Sequence, residues 1–284
     1  MSSRYAVDSW RNIPRKYIPA GLKRRIRGVQ RRLQSVAGPY YCPVCESRIR
    51  RFDPIPAFYS AQPREYGFPY SAEEAETCNW ENYSCPFCEA NDRDRLSALY
   101  LRESIPNHKS LGLTSIVDFA PSAPLSRCVR KLIERTGANI SYRTADYFAD
   151  GIDDRIDIMD MRIYADQQFD CFICSHVLEH VADDRKALRE LHRILKPTGK
   201  GILLVPIVLT ISEIDEDPNL TDESERWRRF GQYDHVRLYS RTGFLDRVRE
   251  AGFSVDEYNV NYFGDGVFRR NGITLTSVLY VVGK

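Results

Sequence analysis

Cys-Pro-Val-Cys at 42–45 and Cys-Pro-Phe-Cys at 85–88 are the residues whose type and spacing most directly imply chemistry. A two-residue gap lets both thiolates of a pair face one ion, and two such pairs close a tetrahedron around zinc. With Cys42, Cys45, Cys85 and Cys88 as ligands no coordination position stays open, so the expected Zn2+ is structural. The 39 residues between the pairs exceed what a compact zinc ribbon uses. Cys78 is a spare ligand without a knuckle partner. Cys171 and Cys174 repeat the spacing on an expected strand, where residues three apart face opposite sides, and read as buried thiols.

The elements that must position these residues begin with the chain as a whole. Its 284 residues are 43% hydrophobic and 28% charged, which suits a folded chain and excludes general disorder. The longest nearly uncharged apolar run, Gly201 to Ile211, is about half of what a membrane-spanning helix needs. Residues 1–20 show no apolar signal core, so a soluble, cytoplasmic protein is expected, in which eight cysteines read as ligands or buried thiols. The net charge of +2 is unevenly divided: residues 1–41 carry +9 and the remainder −7. Such an arm fits a polyanion (RNA, an anionic membrane, a phosphorylated carrier) or is a solvated leader without a partner.

Leu22, Ile26, Val29, Leu33 and Val36 mark one face of an amphipathic helix over 20–36, stopped by Gly38-Pro39. A proline- and aromatic-rich stretch follows, bracketed by the cysteine pairs. A short helix is expected over 92–103. From residue 112 the pattern alternates. Strands are expected at 115–120, 140–145, 156–161, 170–175, 201–208, 253–260 and 274–282. Between them lie helices ended by Gly137 and by Pro197-Thr198-Gly199, and another at 241–251. The expected architecture is α/β: a Rossmann-like, seven-stranded, mostly parallel sheet with helices on both faces. Before it stand a zinc-ribbon-like module and a basic amphipathic N-terminal helix. The divisions fall at 1–39, 40–92 and 93–284. Ligands of such sheets sit outside the carboxyl ends of the strands, at the switch point. There Asp118 is followed by Phe119-Ala120-Pro121-Ser122, where a glycine-rich turn is usual and no glycine occurs.

Residues 169–181, FDCFICSHVLEHV, and the following ELHRILKP resemble the class I S-adenosylmethionine-dependent methyltransferases of the type 11 branch. Phe119-Ala120-Pro121, Glu216-Asp217 and the run from Phe230-Gly231-Gln232 to Tyr239 resemble a bacterial subgroup with a four-cysteine module in front. Ser122 departs from an acidic residue in that subgroup, and Pro197-Thr198-Gly199 from Pro-Gly-Gly.

The resemblance implies S-adenosyl-L-methionine as cofactor, its methionine end over Asp118, Phe119, Ala120 and Pro121. It implies Asp146 as acceptor for the ribose hydroxyls, though a surface turn would also use an aspartate there. Asp160 and Met161 would flank the adenine or simply end a strand. Ser175 and His176 would face the sulfonium and the acceptor. A hydroxyl acceptor needs a base, for which His176, His235 and Asp234 are the candidates, His180 reading rather as a cap. Residues 209–240 would form a lid carrying Gln232, Arg237 and Tyr239 to the substrate; Arg237 and Arg226 would clamp an anionic group or pair with nearby acids. The expected activity is O-methylation of a carbohydrate, glycan or other small hydroxyl compound. The alternatives are an RNA methyltransferase gripping phosphates through the arm and zinc module, and a binding protein that kept only the fold.

Overall fold

Short polar caps and alternating apolar runs set most of the elements in the computed structural model, which describes residues 38–284. The basic arm and the amphipathic stripe at 20–36, with the partners expected of them, lie outside the described residues. The cysteine region opens with an antiparallel hairpin, β1 (Tyr40–Cys42) and β2 (Ser47–Ile49), and continues to helix α1 (Ala57–Glu65). Helix α2 (Asp92–Ser104) starts in a capping box in which Asn91 and Asp94 satisfy each other's backbone N–H groups. A turn, α3 (His108–Leu111), leads into β3 (Ser115–Phe119).

Ser122 then caps α4 (Ala123–Thr136) by accepting from the Leu125 N–H, and Gly137, at φ 63°, ends it. The chain continues through β4 (Ser141–Asp146), β5 (Asp154–Arg155) and β6 (Phe169–Ser175). Asp183 caps α5 (Asp184–Ile194), which runs directly into β7 (Leu195–Leu204). The segment expected to form a lid contains β8 (Asp215–Glu216), α6 (Glu223–Phe230) and β9 (Arg237–Leu238). Helix α7 (Arg241–Glu250), strand β10 (Ser254–Tyr258), the short helices α8 (Val260–Phe263) and α9 (Asp265–Arg270), and β11 (Leu279–Gly283) finish the chain.

The main sheet has seven strands in the order β10-β11-β7-β6-β3-β4-β5, with β11 antiparallel to both its neighbours and the rest parallel. The winding direction reverses between β3 and β6, which makes their carboxyl ends the switch point. Strand β6 is buried on both faces until Ser175, as a central parallel strand must be. Gly201 lets β7 cross it: a Cβ there would stand 2.1 Å from the Phe172 ring. Cys42, Val44, Ile49, Phe52 and Cys85 belong to the same apolar cluster as Val117, Phe172 and Ile202, so the cysteine region shares one core with the sheet. Among the described residues no helix is long and apolar enough to cross a membrane.

Three expected boundaries change. Residues 156–161 are not a strand: only Asp154 and Arg155 pair with β4, and Asp157 then folds the chain back by accepting from the Met159 N–H at 2.8 Å. The alternation Ile-Asp-Ile-Met-Asp-Met is that of a half-buried strand, but a turn aspartate outweighs it. Asp160 and Met161 therefore do not end a strand. Pro197-Thr198-Gly199 lies inside β7 and does not precede it, accommodated by a register shift opposite Phe169 and Cys171. The last strand starts at Leu279 and not at 274, because Thr274 and Ser277 close a turn.

Candidate functional site

At the switch point two residues other than glycine take left-handed backbone conformations: Ala120 (φ 47°) after β3 and His176 (φ 58°) after β6. Such strain costs on the order of 1–3 kcal/mol per residue and concentrates at functional sites. The two strands are direct neighbours, pairing Phe119 with Cys174. The Ala120 N–H donates to the Ala145 carbonyl and the His176 N–H to that of Leu204, both at 2.8 Å, so each bend is locked to the adjacent strand. Alanine thus makes the bend expected of glycine, and Ala120 is exposed. Ser122, where the related subgroup has an acid, donates to the buried Asp94 carboxylate at 2.7 Å. An acid reaches this loop from α2 instead.

Asp118 and Phe119 are buried, while Pro121, Asp146, Asp160, Ser175 and His176 are half-buried. Asp146 uses Oδ1 to accept from the Phe148 and Ala149 N–H groups at 2.7 and 2.8 Å. Its Oδ2 has no protein hydrogen bond among the described residues. Beside it Tyr147 and Phe148 stand edge to face, the latter 79% exposed. Asp160 pairs with Arg162, and Met161 is enclosed in the core.

The Asp118 carboxylate accepts from the Tyr142 hydroxyl at 2.5 Å under α4, and burial pushes it up to about 7. Its folded-state value lies above the ordinary 3.8, so the folded protein retains a proton that the unfolded chain releases. The resulting stability is full in acid and lost as pH rises to about 7. Asp118→Asn should therefore flatten the fall in stability between pH 5 and 8 by roughly 2–3 kcal/mol, read from urea midpoints at both values. Glu76, also raised to about 7 by burial, leaves a residual slope of the same sign. An unchanged slope would contradict the assignment.

The histidines gather around a residue that the spacing of candidate bases did not single out. Glu179 is 0% exposed, and its Oε2 has no hydrogen-bond partner among the described residues. His176 Nδ1 approaches Oε1 to 3.1 Å, and His180 Nε2 to 3.9 Å. The Val236 N–H donates to the Glu179 carbonyl at 2.9 Å, which brings buried His235 to the group from 56 residues away. Burial, then the nearby Arg93 charge, lowers His176 to about 4, so its imidazole is neutral at pH 7. Burial alone would raise Glu179, but His176 and the two other imidazoles hold it at about 2, ionised. Arg93, near the N-terminus of α2, also acts on both residues; its place so far along the chain from them hid it from sequence reasoning.

Of the residues expected to meet substrate, Gln232 and Asp234 are half-buried and His235 is enclosed. Arg237 and Tyr239 are corrected. Arg237 is buried and bonds the carbonyls of Leu178, Val181 and Ala182 and the Glu216 carboxylate. Tyr239, equally buried, donates to Asp184 at 2.6 Å, and Arg247 joins Asp184 to Glu216. The Glu216 and Arg237 of the sequence motif therefore fasten the 209–240 segment to the chain after β6. Arg226 caps the carbonyls of Leu220 and Tyr233.

The cysteine knuckles converge as their spacing implied. Cys42 and Cys88 Sγ atoms are 3.7 Å apart, and those of Cys45 and Cys85 3.8 Å. A tetrahedron with bonds of about 2.3 Å has edges of about 3.8 Å, so the four thiols fit a zinc ion without rearrangement. Each knuckle is the same turn. The Glu46 N–H donates to the Cys42 carbonyl and that of Glu89 to Cys85, with both glutamates at positive φ. Arg102, Lys131 and Arg135 converge on Glu46 and tie the first knuckle to α2 and α4. Cys171 and Cys174 are buried in β6, and Cys78 stands apart from the cluster.

Residues 112–203 match the family described as a methyltransferase domain. A ubiquinone/menaquinone biosynthesis C-methyltransferase UbiE of Haemophilus ducreyi is 30% identical over 113 residues, 34% of this chain and 43% of that relative. The enzyme of the same description from Klebsiella pneumoniae subsp. pneumoniae is 42% identical over 53 residues, 18% of this chain and 21% of the relative. The chain thus spans less than half the length of these curated relatives. Among solved structures, the trans-methyltransferase CalH in complex with SAH aligns at TM-score 0.40 and 12% identity, covering 69% of this chain and 56% of that one. The matched segment contains Asp118, Ala120, Asp146, His176 and Glu179; the cysteine knuckles and His235 lie outside it.

Proposed function

We propose that the protein is an S-adenosylmethionine-dependent methyltransferase acting on a hydroxyl of a carbohydrate, glycan or similar small compound, with a structural Zn2+ in the four-cysteine cluster. The observation that carries this reading is the pair of strained strand ends, Ala120 and His176, side by side at the switch point of a methyltransferase domain. The residues present fit the cofactor, since Asp146, at the end of β4 beside β3, keeps one carboxylate oxygen for ribose hydroxyls. When bound, S-adenosylmethionine supplies an electrophilic methyl group on a sulfonium. The exposed bend at Ala120 lets a ligand approach the backbone, and Pro121 stiffens it. His176, neutral and half-buried at the end of β6, takes the proton from the acceptor hydroxyl. Arg93 and Glu179 set the charge around that imidazole, and Asp234 lies beside His180. The 209–240 segment, fastened through Arg237, bounds the acceptor side.

Calorimetry with S-adenosylhomocysteine tests the cofactor half, and labelled-methyl transfer tests the rest. Asp146→Ala should weaken binding about tenfold or more. His176→Ala should leave binding intact and lower turnover by about 10²- to 10⁴-fold. Acceptors to screen are sugar nucleotides, glycans, RNA and a hydroquinone, the last because the curated relatives are named for carbon methylation. Methylation of RNA or of a ring carbon would replace the acceptor in this reading. Absence of any cofactor binding would leave a binding protein on the same fold.

A further inference from the structure

Setting the charge around His176 does not explain why Glu179 also faces His180 and His235. An ionised carboxylate in a fold's interior costs several kcal/mol unless donors and cations meet it, and here His176 Nδ1 at 3.1 Å and the Arg93 charge meet it only in part, leaving Oε2 without a donor. Two imidazoles face it. His180 Nδ1 lies 3.3 Å from the Asp234 carbonyl and 3.5 Å from its Oδ2, and His235 Nδ1 lies 3.3 Å from the Phe230 carbonyl. Each ring therefore donates its Nδ1–H to a fixed oxygen and keeps the Nε2 lone pair free, the tautomer in which proteins hold metal-binding histidines. The rings stand edge to face with centroids 4.8 Å apart. One ligand atom from each of Glu179, His180 and His235 lies within 4.8 Å of the others.

We propose that Glu179, His180 and His235 bind a divalent first-row transition-metal cation. Two imidazoles and one carboxylate select the zinc, cobalt or iron class over magnesium or calcium, which prefer all-oxygen shells. Glu179 and His235 are enclosed, so exposed His180 supplies the movement that draws the set to bonding distance. Three protein ligands leave a coordination position open, and His176 Nδ1 stands 3.1 Å from the Glu179 Oε1 of the set. A hydroxyl or water on that position is acidified by the ion. Arg93 acts on the same carboxylate, so this ion exchanges more readily than one held by four thiolates. The site does not depend on which acceptor is methylated.

The test is a Co2+ titration of the full chain with its cysteine cluster already filled with zinc. Expected is uptake of one equivalent with ligand-field absorption and no sulfur-to-metal charge-transfer band. Glu179→Gln keeps the side-chain shape, and His180→Ala alters an exposed residue; each should weaken uptake about tenfold or more. No uptake, or uptake that neither substitution weakens, overturns the site. Calorimetry with S-adenosylhomocysteine on the same samples separates the two readings: cofactor binding without cobalt uptake overturns the ion alone.

Discussion

Replacing Arg95 with methionine should destabilise the protein by about 4 kcal/mol or more, a large share of the roughly 5–15 kcal/mol that holds a typical domain together. Its guanidinium is 0% exposed and donates to the carbonyls of Asn82, Tyr83, Ala90, Asn271 and Gly272. It also lies over the Phe52 ring at 4.0 Å. The five carbonyls come from three places, the loop before the second knuckle, the approach to α2 and the turn after α9, and Phe52 comes from a fourth, after β2. Methionine fills the space but leaves the carbonyls of Asn82, Tyr83 and Asn271 without donors, whereas Ala90 keeps the Cys85 N–H and Gly272 the Asn79 side chain, and each unpaired buried group costs about 1–3 kcal/mol. Lysine should rescue little, because an ammonium reaches at most three acceptors and lacks the planar fork. Urea midpoints of the three proteins decide the matter; a shift below about 1 kcal/mol for methionine would show that the carbonyls find other donors.

The second large effect concerns the cysteine cluster and rests on the proposal that it holds zinc. Stripping the ion with a strong chelator, or making Cys45→Ser, should lower the thermal midpoint by about 10 °C or more. That follows from several kcal/mol of lost stabilisation at roughly 2–4 °C per kcal/mol for a chain of this size. Cys42 and Cys85 sit in the core shared with the sheet, so loss of the ion leaves four converging thiols beneath the hairpin of β1 and β2. Arg95 gains a partner from the same ion. Four thiolates on Zn2+ carry two net negative charges, and the Cys42 and Cys85 sulfurs act on that guanidinium. The loss should therefore reach α2. A chain purified without zinc, with a midpoint indifferent to Cys45→Ser, would reduce the cluster to four packed thiols.

What could be read in advance follows the range of the interactions involved. The end of α4 at Gly137 was legible because a glycine cap is set by near neighbours, whereas the Ser122 cap at its start was not read in advance. Strands β3 and β6 were legible because their apolar runs are buried along nearly their whole length, whereas in β4 only Thr144 and Ala145 are buried. Residues 156–161 misled because the alternation that marks a strand also suits a turn whose apolar side chains point inward. The lysine-to-glycine stretch entering β7 misled because Pro197 and Gly199 ordinarily break structure, whereas a bulge beside β6 accepts both.

The candidate site divides in the same way. The amino-acid order alone determined the cysteine tetrahedron, since two knuckles with fixed internal spacing have few other ways to satisfy four thiolates. It also determined the alternating α/β pattern and the strand ends where ligands belong. Only the tertiary structure showed that Arg237 and Tyr239 are buried and hold the chain together. Only it brought Arg93, Glu179 and His235 to one place, and made Ala120 turn where glycine was expected. The reason is that a buried charge takes its partner from whatever the packed core brings within a few ångströms, and that selection spans tens of residues of chain.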